Sequence, residues 1–542
     1  MRLQALLDAV CATLANSQYT VNGSTAHESA ATEGLQAVVL GITANSRAVK
    51  PGWIFVALHG DHVDGHQYVS QAIEAGALAV VIQADRQHRL PEQLKPTIPV
   101  LVVPNTYQAF AELSARFYNE PGRQMQMIGV TGTNGKTTVT HLIERLLVAN
   151  GASVGLIGTL GHRVLSPNNT EKPSPGYETT HHTTPMADAL HHVLAEMKAG
   201  GTNTVVMEVS SHALAQYRVQ GCDFSVAVFT NLTQDHLDFH QTMDQYAAAK
   251  CLLFSGLTPS TGPKTAVINL DDTYADRFLA ACPTGVRQLT YSLSHPEALV
   301  RASNVRYSIT GASFDVTTPA GSAPVQLRLA GQFSVYNALA AIAAGIGLGI
   351  ALDQIVDTLA QVPGVRGRFE VVAEAPFVIV DYAHTPDGLE NVLNAARQVT
   401  PPQGKLIVVF GCGGDRDATK RPKMGAIAER LADVLVITSD NPRTEDPQQI
   451  ITDILSGIQR FEPQRMQVNA DRREAIRQAM DLASPHDVIV VAGKGHEDYQ
   501  ILADRTIHFD DREEVQAYAS QKAPVNDAPT DMASRSPSGS SC

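Results

Sequence analysis

The sequence predicts an α/β protein of three domains, built on sheets whose strands run mostly parallel. Its 542 residues exceed the length that one hydrophobic core usually serves. Three successive blocks alternate short β-branched runs with longer helical patterns, an order typical of parallel sheets covered by helices. Apolar residues make up 44% of the chain and charged residues 18%, as in a folded globular protein.

The first block begins with a helix and continues with strands. Apolar residues recur at helical spacing from Leu3 to Leu14, which predicts an amphipathic helix rather than a signal peptide. A break at Asn119-Glu-Pro-Gly122 ends this domain, which we place at residues 1–121. Its expected elements are strands at Trp53–Leu58, Ala77–Ile82 and Val100–Val103 and a helix over Ala109–Tyr118.

The second block, placed at residues 122–362, ends before Pro363-Gly364. Its apolar run Ala338–Leu352 is shorter than the ~18 residues of a membrane span, and its Ala and Gly predict a closely packed buried helix. Its other expected elements are strands at Met127–Thr131, Thr204–Val209, Val226–Thr230 and Ala266–Asn269 and a helix over Val139–Ala149.

The third block is placed at residues 363–522. Its expected strands are Phe377–Asp381, Leu406–Phe410, Val434–Thr438 and Val488–Ala492. From Ala523 onward the chain is rich in Pro, Ser and Asp and has little to bury, which predicts a disordered tail at 523–542.

Composition disfavours several classes of protein. The formal net charge of −13 disfavours sequence-independent nucleic-acid binding, which needs a basic surface. Six cysteines without a C-x-x-C pair indicate neither a disulfide framework nor a zinc site, and they fit a reducing compartment. No stretch has the pattern of an export signal or a membrane span. We therefore expect a cytoplasmic protein that binds neither nucleic acid nor membrane.

The strongest motif is a glycine-rich loop, Gly132-Thr-Asn-Gly-Lys-Thr-Thr138, between a strand and a helix. Backbone N–H groups of such a loop surround phosphate oxygens, and the helix N-terminus adds its dipole. Lys136 would reach the β- and γ-phosphates, and the Thr137 hydroxyl would hold Mg²⁺. Val130 stands where a general P-loop has its first glycine, so Gly132 replaces it. An ordinary strand–helix turn does not explain Lys-Thr-Thr here, and we predict a central P-loop-type nucleotide-binding domain, which the resemblance given below implies to be an ATP-binding domain.

Two further patterns point to phosphate chemistry. Glu208 ends the apolar run that begins at Val205, and an acid at the carboxyl end of a parallel strand can hold Mg²⁺. The segment from Asn231 to His240 carries four residues able to ligate metal or accept protons: Asp235, His236, Asp238 and His240. A solvated strand-end carboxylate and a capped, solvated helix start are the alternatives.

At this point the chain resembles the Mur ligase family, ATP-dependent enzymes that add amino acids to the peptidoglycan precursor. The resemblance covers roughly residues 40–510, in order and across all three blocks. It implies a Rossmann-like C-terminal domain and a reaction in which ATP phosphorylates a carboxylate and an amine attacks the acyl phosphate. The shared motifs are Gly132–Thr138, Met207-Glu-Val-Ser-Ser-His212, Asp235-His-Leu-Asp238, Asn337 in Tyr-Asn-Ala-Leu-Ala, Arg368 in Gly-Arg-Phe-Glu and Asp381-Tyr-Ala-His-Thr-Pro386.

The resemblance also implies which residues hold ATP and Mg²⁺. The ATP-binding set is Gly132, Thr133, Asn134, Gly135, Lys136, Thr137, Thr138, Asn337, Arg368 and Asp381. The metal set is Thr137, Glu208, His236 and a carbamylated Lys250, and the catalytic set is Lys136, Glu208, His236 and Lys250. On the sequence alone, a solvated lysine on a helix surface is the better interpretation of Lys250. Since the ATP set comes from two domains, domain closure is expected to assemble the site and exclude water.

The first block resembles the uridine-nucleotide pocket of the third-step ligases through Thr43-Ala-Asn-Ser-Arg47, Pro51-Gly-Trp-Ile-Phe-Val-Ala57 and Asp64-Gly-His66. An alternative to substrate contact is that Ser46 is a turn residue and that Gln216 lies on a helix surface. His182 stands where the family usually has Asn. The set implied to bind the UDP-muramoyl-dipeptide is Ser46, Asp61, His62, Val63, His182, Thr183, Thr184, Ser210, Gln216 and Arg218.

The third block carries three loops that each follow a strand, at the edge where parallel sheets bind ligands. They are Gly411-Cys-Gly-Gly-Asp-Arg416, Asp440-Asn-Pro-Arg443 and Gly493-Lys-Gly-His-Glu497. Each alone fits a tight βα turn. Together they resemble the diaminopimelate pocket of one branch of the family, which implies the set Arg416, Asp440, Asn441, Pro442, Arg443, Gly493 and Glu497.

The implied function is ATP- and Mg²⁺-dependent addition of meso-diaminopimelate to UDP-N-acetylmuramoyl-L-Ala-D-Glu, by a monomer, in peptidoglycan synthesis. Within the superfamily, a lysine-adding ligase and a folylpolyglutamate synthetase compete, although the latter would lack the uridine-type first block. A P-loop ATPase or switch protein is the alternative from another class. It would hydrolyse ATP without an amino acid.

Overall fold

The structure, a computed structural model, describes residues 1–15, 17–21, 24–25, 35–60, 63–89, 98–167, 177–178, 182–460 and 462–522. The expected disordered tail, 523–542, lies outside these residues. The chain divides into two compact units, Met1–Val365 and Arg366–Cys542. The first unit contains two sheets, of six and ten strands, and the second contains a six-stranded sheet and a two-stranded hairpin. The mixed α/β class is confirmed, and the division into three domains stays a prediction.

The six-stranded sheet of the first unit is parallel at its centre. Its strand order is β2-β1-β6-β5-β4-β3, in which β3 to β6 pair in parallel and β1 and β2 are antiparallel. The expected N-terminal helix is present, and Leu3, Leu6, Leu7 and Val10 are its buried face. The strands are β1 Gln18–Val21, β2 Ser24–Thr25, β3 Gly41–Thr43, β4 Trp53–Val56, β5 Ala79–Gln83 and β6 Val100–Val103. The helices are Leu3–Thr13, Val69–Glu74 and Thr106–Phe117.

The ten-stranded sheet has the order β16-β15-β14-β13-β12-β11-β7-β10-β8-β9. Its strands from β14 across to β8 pair in parallel, and antiparallel pairs extend both ends. The strands are β7 Gln126–Thr131, β8 Val154–Gly158, β9 Gly161–Leu165, β10 Thr204–Glu208, β11 Phe224–Phe229, β12 Thr265–Asn269, β13 Arg287–Ser292, β14 Val300–Ser308, β15 Gly311–Thr318 and β16 Gly321–Leu327. The helices are Lys136–Ala149, Ala187–Ala199, Ser211–Ala215, Leu237–His240, Met243–Ser255, Ala275–Ala281, Gln332–Gly347 and Leu352–Gln361.

The first part of the apolar run Ala338–Leu352 lies in a buried helix, Gln332–Gly347, and the run continues past the end of that helix. Gly349, at φ +81°, breaks the helix, and a second helix begins at Leu352. Among the described residues, no helix combines the length and the apolar character needed to cross a membrane. Most residues of the run belong to the buried core that includes strands of the ten-stranded sheet, as expected for a closely packed helix.

The six-stranded sheet of the second unit has the order β17-β18-β22-β19-β20-β21, parallel except for β17. Three of its expected strands have the predicted bounds, and the fourth, β20, ends one residue earlier. The strands are β17 Glu370–Glu374, β18 Phe377–Asp381, β19 Leu406–Phe410, β20 Val434–Ile437, β21 Met466–Val468 and β22 Val488–Ala492, with the hairpin β23 Tyr499–Ile501 and β24 Thr506–His508. The helices are Pro386–Val399, Lys420–Leu431, Pro447–Leu455, Arg472–Leu482 and Asp511–Lys522.

Candidate functional site

The glycine-rich loop joins β7 to the helix Lys136–Ala149, as the motif predicts. Gly132 and Gly135 have φ of +148° and +84°, a region that favours glycine. A Cβ on Gly132 would lie 1.9 Å from Thr230 Oγ1, and one on Gly135 would lie 2.4 Å from Asn337 Oδ1. The loop therefore needs both glycines, and the predicted ATP residue Asn337 lies directly against it.

The segment after β11 holds the loop in shape. The Thr133 N–H donates to the carbonyl of Asn231 at 2.8 Å, and the Asn134 N–H donates to Asn231 Oδ1 at 2.9 Å. Thr230 Oγ1 donates to the carbonyl of Asn134 at 2.6 Å. Because β11 pairs directly with β7, the Asn231 segment and the P-loop lie at one edge of the sheet.

Two lysines meet at the carbonyl of Gly132. Lys136 Nζ donates to this carbonyl at 2.9 Å and to that of Thr133 at 2.8 Å. Lys250 Nζ, from the helix Met243–Ser255, donates to the same Gly132 carbonyl at 2.9 Å. Lys250 is only 1% exposed, so the solvated-surface interpretation of this lysine is wrong. Burial, and then the charge of Lys136, hold the pKa of Lys250 well below its usual range.

Glu208 ends β10 beside the P-loop strand, in register with Val130. Its carboxylate accepts the N–H of Thr159 at 2.9 Å and the Thr159 hydroxyl at 3.1 Å. The residue is 1% exposed, so the interpretation as a solvated strand-end carboxylate is wrong. A buried carboxylate with two hydrogen-bond donors keeps a fixed orientation at the edge that carries the P-loop.

The residues predicted to hold the muramoyl-dipeptide lie around the end of β10. Thr184 Oγ1 donates to the carbonyl of Glu208 at 2.8 Å and accepts the Ser210 N–H at 3.0 Å. Arg218 NH1 donates to the carbonyl of Thr184 at 2.9 Å, and its NH2 donates to Gln216 Oε1 at 2.6 Å. Gln216 therefore orients Arg218, which a free helix-surface residue would not do.

Thr183 and His182 lie at the edge of this group. Thr183 Oγ1 is 3.1 Å from Thr159 Oγ1, which connects it to the Glu208 carboxylate. His182 is exposed. The structure thus brings five predicted residues to the carboxyl end of β10: Thr183, Thr184, Ser210, Gln216 and Arg218.

A cluster of imidazoles lies between the P-loop and this group. The ring centroid of His212 is 4.8 Å from that of His236 and 5.5 Å from that of His240. His240 Nε2 is 2.9 Å from Ser211 Oγ, and its ring is 5.1 Å from that of Tyr246. Burial is the largest cause that lowers the pKa of His212 and of His240 to about 4, so both are neutral at pH 7, whereas the side chain of His236 is 43% exposed.

Sequence reasoning gave His212 no role of its own, although the Met207–His212 motif contains it. His236 precedes the short helix Leu237–His240 in the left-handed conformation, with φ of +54° and no side-chain cap, so the capped-start interpretation fails. Within the described residues, His, Cys, Asp and Glu side chains form no group of three or more suited to a metal ion.

The predicted uridine contacts are only partly described. Asp61 and His62 lie outside the described residues, and the adjacent Val63 is 51% exposed. Ser46 Oγ donates to Gln71 Oε1 at 3.2 Å, which agrees with its alternative as a turn residue. His66, from the third quoted motif, is fully buried between Asp64 and the N–H of Gln83 and supports the fold of this pocket.

In the second unit, the loops after β18 and β22 meet at Tyr382. The guanidinium carbon of Arg368 lies 4.6 Å from the ring centroid of Tyr382. The ring centroid of His496 lies 4.9 Å from that of Tyr382. Asp381 accepts two backbone N–H groups, at 2.7 and 2.8 Å. Burial raises the pKa of Asp381 although Arg368 opposes it, and burial lowers the pKa of His496 to about 3. The two predicted ATP residues, Arg368 and Asp381, are thus neighbours.

The loops after β19, β20 and β22 also meet, as the strand order requires. Arg443 has φ of +53°, and its NH1 donates to the carbonyl of Gly414 at 2.8 Å. Asn441 Nδ2 donates to Glu497 Oε2 at 2.9 Å. Asp440 Oδ2 would be 3.4 Å from a Cβ on Gly493. These contacts join Asp440, Asn441, Arg443, Gly493 and Glu497 in one cluster, which separate βα turns would not produce.

The remaining two residues of the predicted diaminopimelate set flank this cluster. Arg416 is exposed, and its NH1 donates to the carbonyl of Asp415 at 3.2 Å. Pro442 is buried. A Cβ on Gly414 would lie 1.9 Å from the carbonyl oxygen of Pro442, so the two residues are in close contact. Burial, and then Asp440, raise the pKa of the Glu497 carboxyl, which Lys494 and Asn441 oppose.

Sequence reasoning missed Lys494, which is 0% exposed. Its Nζ lies 3.2 Å from Asn441 Oδ1, 3.3 Å from Glu497 Oε2 and 3.6 Å from Asp440 Oδ1. The available signal was a lysine between two glycines directly after a fully apolar strand. A lysine at that point lies at the ligand-binding edge of a parallel sheet.

The first unit is thus a P-loop-type nucleotide-binding α/β structure, and the loops of the second form a buried, charged cluster. Three family descriptions match the chain: "Mur ligase family, catalytic domain" over residues 38–118, "Mur ligase middle domain" over 130–345 and "Mur ligase, glutamate ligase domain" over 367–495. The chain belongs to the Mur ligase family. It is an ATP-dependent ligase that forms an amide bond.

Relatives from two bacteria are similar over most of their length. Both are named UDP-N-acetylmuramoyl-L-alanyl-D-glutamate–2,6-diaminopimelate ligase. The protein from Synechococcus elongatus is 47% identical over 485 residues, 89% of this chain and 94% of that protein. The protein from Listeria monocytogenes is 44% identical over 491 residues, again 89% and 94%.

Solved structures agree with this assignment. A structure titled with the same enzyme name is 37% identical, has a TM-score of 0.62, and the match covers 89% of this chain and 95% of that one. The structure of Mycobacterium tuberculosis folylpolyglutamate synthase with ADP and AMPPCP has a TM-score of 0.57 at 20% identity and covers 70% of this chain and 91% of that one, so it shows a shared fold alone.

Proposed function

We propose that this chain catalyses ATP-dependent addition of meso-diaminopimelate to UDP-N-acetylmuramoyl-L-Ala-D-Glu, in peptidoglycan precursor synthesis. This proposal rests mainly on the charged cluster of the second unit. Asp440 Oδ1 is buried and accepts no hydrogen bond within the described residues, with Lys494 Nζ 3.6 Å away, and Glu497 and Arg443 lie in the same cluster. Acids and a guanidinium together suit a ligand group that carries both an ammonium and a carboxylate. The names of the relatives support this choice of substrates.

ATP is assigned to the P-loop. Its backbone N–H groups and the start of the helix Lys136–Ala149 suit phosphate oxygens, and Lys136 Nζ already lies across the loop. Asn337 Oδ1 lies against Gly135, the glycine directly before Lys136, and we assign it to the nucleotide. In the second unit, Arg368 and Asp381 stay proposed ATP contacts by their place in the family motifs.

The muramoyl-dipeptide is assigned to the group around the end of β10. Arg218 and the hydroxyls of Thr183, Thr184 and Ser210 suit the carboxylates and amides of a short acidic peptide. The D-glutamate side-chain carboxylate attacks the γ-phosphorus and breaks its bond to the leaving ADP oxygen. The amine of the amino acid then attacks the acyl carbon, loses a proton, and expels phosphate.

Two anions must approach each other in the first step, so cations and dry surroundings favour it. Lys136 supplies positive charge beside the loop. His212 and His240, neutral at pH 7, add no charge that opposes the approach of the two anions.

The residues at this edge fit Mg²⁺ by their donor chemistry. Thr137 and Glu208 are buried, they offer hydroxyl and carboxylate oxygens, and they follow or end neighbouring parallel strands. When bound, Mg²⁺ neutralises phosphate charge during transfer. We assign Thr137 and Glu208 to one ion and His236 to a second.

Phosphate release from ATP tests the proposed function. We expect release only when UDP-N-acetylmuramoyl-L-Ala-D-Glu and meso-diaminopimelate are both present, with one amide formed per phosphate. Release without any amino acid would support a P-loop ATPase or switch protein instead. Equal release with L-lysine would support the lysine-adding ligase, and turnover of a folate substrate would support the folylpolyglutamate synthetase.

We further propose that Lys250 is carbamylated. Its amine is buried and its pKa is depressed, so the neutral form that attacks CO₂ is available. The nitrogen lone pair bonds to the CO₂ carbon and one N–H proton leaves, which turns a cation into a carboxylate-like ligand for Mg²⁺.

We expect Lys250→Ala to lose activity and excess bicarbonate not to restore it, whereas a short carboxylic acid restores part of it. ¹³C NMR after incubation with ¹³C-bicarbonate should show a carbamate in the wild type and none in Lys250→Ala. Lys198→Ala, at an exposed lysine of the same unit, is the matched control. Full activity of a folded Lys250→Ala protein would refute the assignment.

We place the reaction in the cytoplasm and expect a monomer without a nucleic-acid or membrane partner. The described cysteines, Cys11, Cys222, Cys251, Cys282 and Cys412, are free thiols, which suits a reducing compartment.

A further inference from the structure

The amino-acid site of the second unit contains a buried lysine that the proposed contacts do not use. The cluster around it consists of Asp440, Asn441, Lys494 and Glu497. An ammonium has three N–H donors, and three oxygens lie around that of Lys494: Asn441 Oδ1 at 3.2 Å, Glu497 Oε2 at 3.3 Å and Asp440 Oδ1 at 3.6 Å. Each belongs to a residue that we assign to diaminopimelate.

Lys494 determines which way Asn441 faces. Asn441 Oδ1 accepts from Lys494 Nζ and also from the N–H of Ile501 at 3.0 Å. With its oxygen held by two donors, the amide must direct Nδ2 toward Glu497 Oε2, 2.9 Å away. Within the part of the chain that the structure describes, Glu497 Oε1 forms no hydrogen bond and stays available to a ligand.

Lys494 also balances the charge of two buried acids. Burial, and then Asp440, raise the pKa of the Glu497 carboxyl, and Lys494 and Asn441 oppose this rise. Arg472, behind the site, is paired with Asp511 through two contacts of 2.7 Å. The titratable and charged groups facing Glu497 are Asp440, Lys494, Arg472, Tyr382 and Tyr499. Without Lys494, two adjacent carboxylates would compete for ionisation.

We infer that Lys494 is a positioning residue for the amino acid: it holds Glu497 ionised and Asn441 oriented so that they bind the ammonium at the far end of the side chain of diaminopimelate. This inference rests on the proposed function. In this inference Lys494 does not contact the reacting atoms. Loss of the Lys494 ammonium should therefore weaken amino-acid binding and leave ATP binding unchanged.

The test is the KM for meso-diaminopimelate in Lys494→Met, a substitution that keeps most of the side-chain length and removes the charge. We expect this KM to rise about thirtyfold near neutral pH, as for a buried charge contact that is lost. The KM values for ATP and for the UDP-dipeptide should stay within about twofold, since the P-loop and β10 residues are untouched. Lys423→Met, at an exposed lysine of the same unit, is the matched control.

The pH dependence separates positioning from packing. Loss of Lys494 raises the pKa of Glu497, so at lower pH the carboxyl is protonated and cannot hold an ammonium. The KM defect of Lys494→Met should therefore shrink as the pH rises, by roughly tenfold for each pH unit below the new pKa of Glu497. A defect that does not change with pH, or one shared equally by ATP and the UDP-dipeptide, would overturn the inference.

A double variant covers the case in which Lys494→Met fails to fold. Lys494→Met with Glu497→Gln removes one charge of each sign and leaves no new unpaired charge in the pair. Since the Ile501 N–H still holds Asn441 Oδ1 in this variant, action of Lys494 through Glu497 predicts the same KM as for Glu497→Gln alone, within about threefold. A further tenfold loss would overturn the inference. Absence of diaminopimelate-dependent turnover in the wild type would instead refute the proposed function.

Discussion

Lys136→Ala should abolish ATP-dependent phosphate release and leave the fold intact. Removal of a charge contact to the transferring phosphoryl group usually costs on the order of a hundredfold or more in rate. The fold should survive because Lys136 is half-buried and its Nζ contacts are to the loop carbonyls of Gly132 and Thr133. Each such hydrogen bond contributes about 1 kcal/mol to stability.

Initial rates of phosphate release with both co-substrates measure this effect, and thermal melting reports the fold. Lys198→Ala removes an exposed lysine from a helix of the same unit and should retain wild-type turnover. Unchanged turnover in a folded Lys136→Ala protein would contradict the assignment of ATP to the P-loop.

The ligand-binding edges of the sheets were predictable from the sequence because polar residues follow apolar runs there. The P-loop, Glu208 and the three loops of the second unit all follow strands that lie within a residue or two of their predicted bounds. An apolar run of five residues followed by glycine or acid is a local pattern. It needs no knowledge of which strands are neighbours.

Contacts that depend on strand order were not predictable in this way. β22 lies between β18 and β19, two strands from β20, and the loop containing Lys494 reaches across β19 to Asn441 in the loop that follows β20. The antiparallel strands β14 to β16 were also missed, since their half-exposed surfaces carry many Ser, Thr and Arg residues and no strong apolar run.

Lys250 shows the same limit within a helix. Met243–Ser255 buries one face, on which Lys250 lies with Tyr246 and Phe254, but its exposed face includes Ala248 and Leu252. Because apolar residues occupy both faces, the sequence pattern does not tell whether Lys250 faces solvent. Only the tertiary contact with the Gly132 carbonyl decides it. The family motif indicated a role for Lys250 that the local pattern of residues argued against.

Choice of amino acid should depend on Arg443. Meso-diaminopimelate differs from L-lysine by a second carboxylate at the far end of its side chain, and a guanidinium can bind that carboxylate with two parallel, charge-assisted hydrogen bonds. In the structure, Arg443 NH1 is oriented by the carbonyls of Gly414 and Asn441, at 2.8 and 3.4 Å. L-Lysine would bring only an ammonium to this guanidinium and leave it facing a like charge.

Wild-type kcat/KM should therefore favour meso-diaminopimelate over L-lysine by roughly 10⁴-fold, as in sites built around a buried polar contact that the rejected substrate lacks. Arg443→Ala should fold, lose turnover of diaminopimelate selectively and largely abolish that preference. Arg443→Lys keeps the charge without the planar fork and should fall between the two. Should Arg443 serve only to cap its turn, Arg443→Ala would lower the melting temperature and leave the ratio of the two kcat/KM values unchanged. Comparable wild-type values for the two amino acids would refute the assignment of diaminopimelate itself.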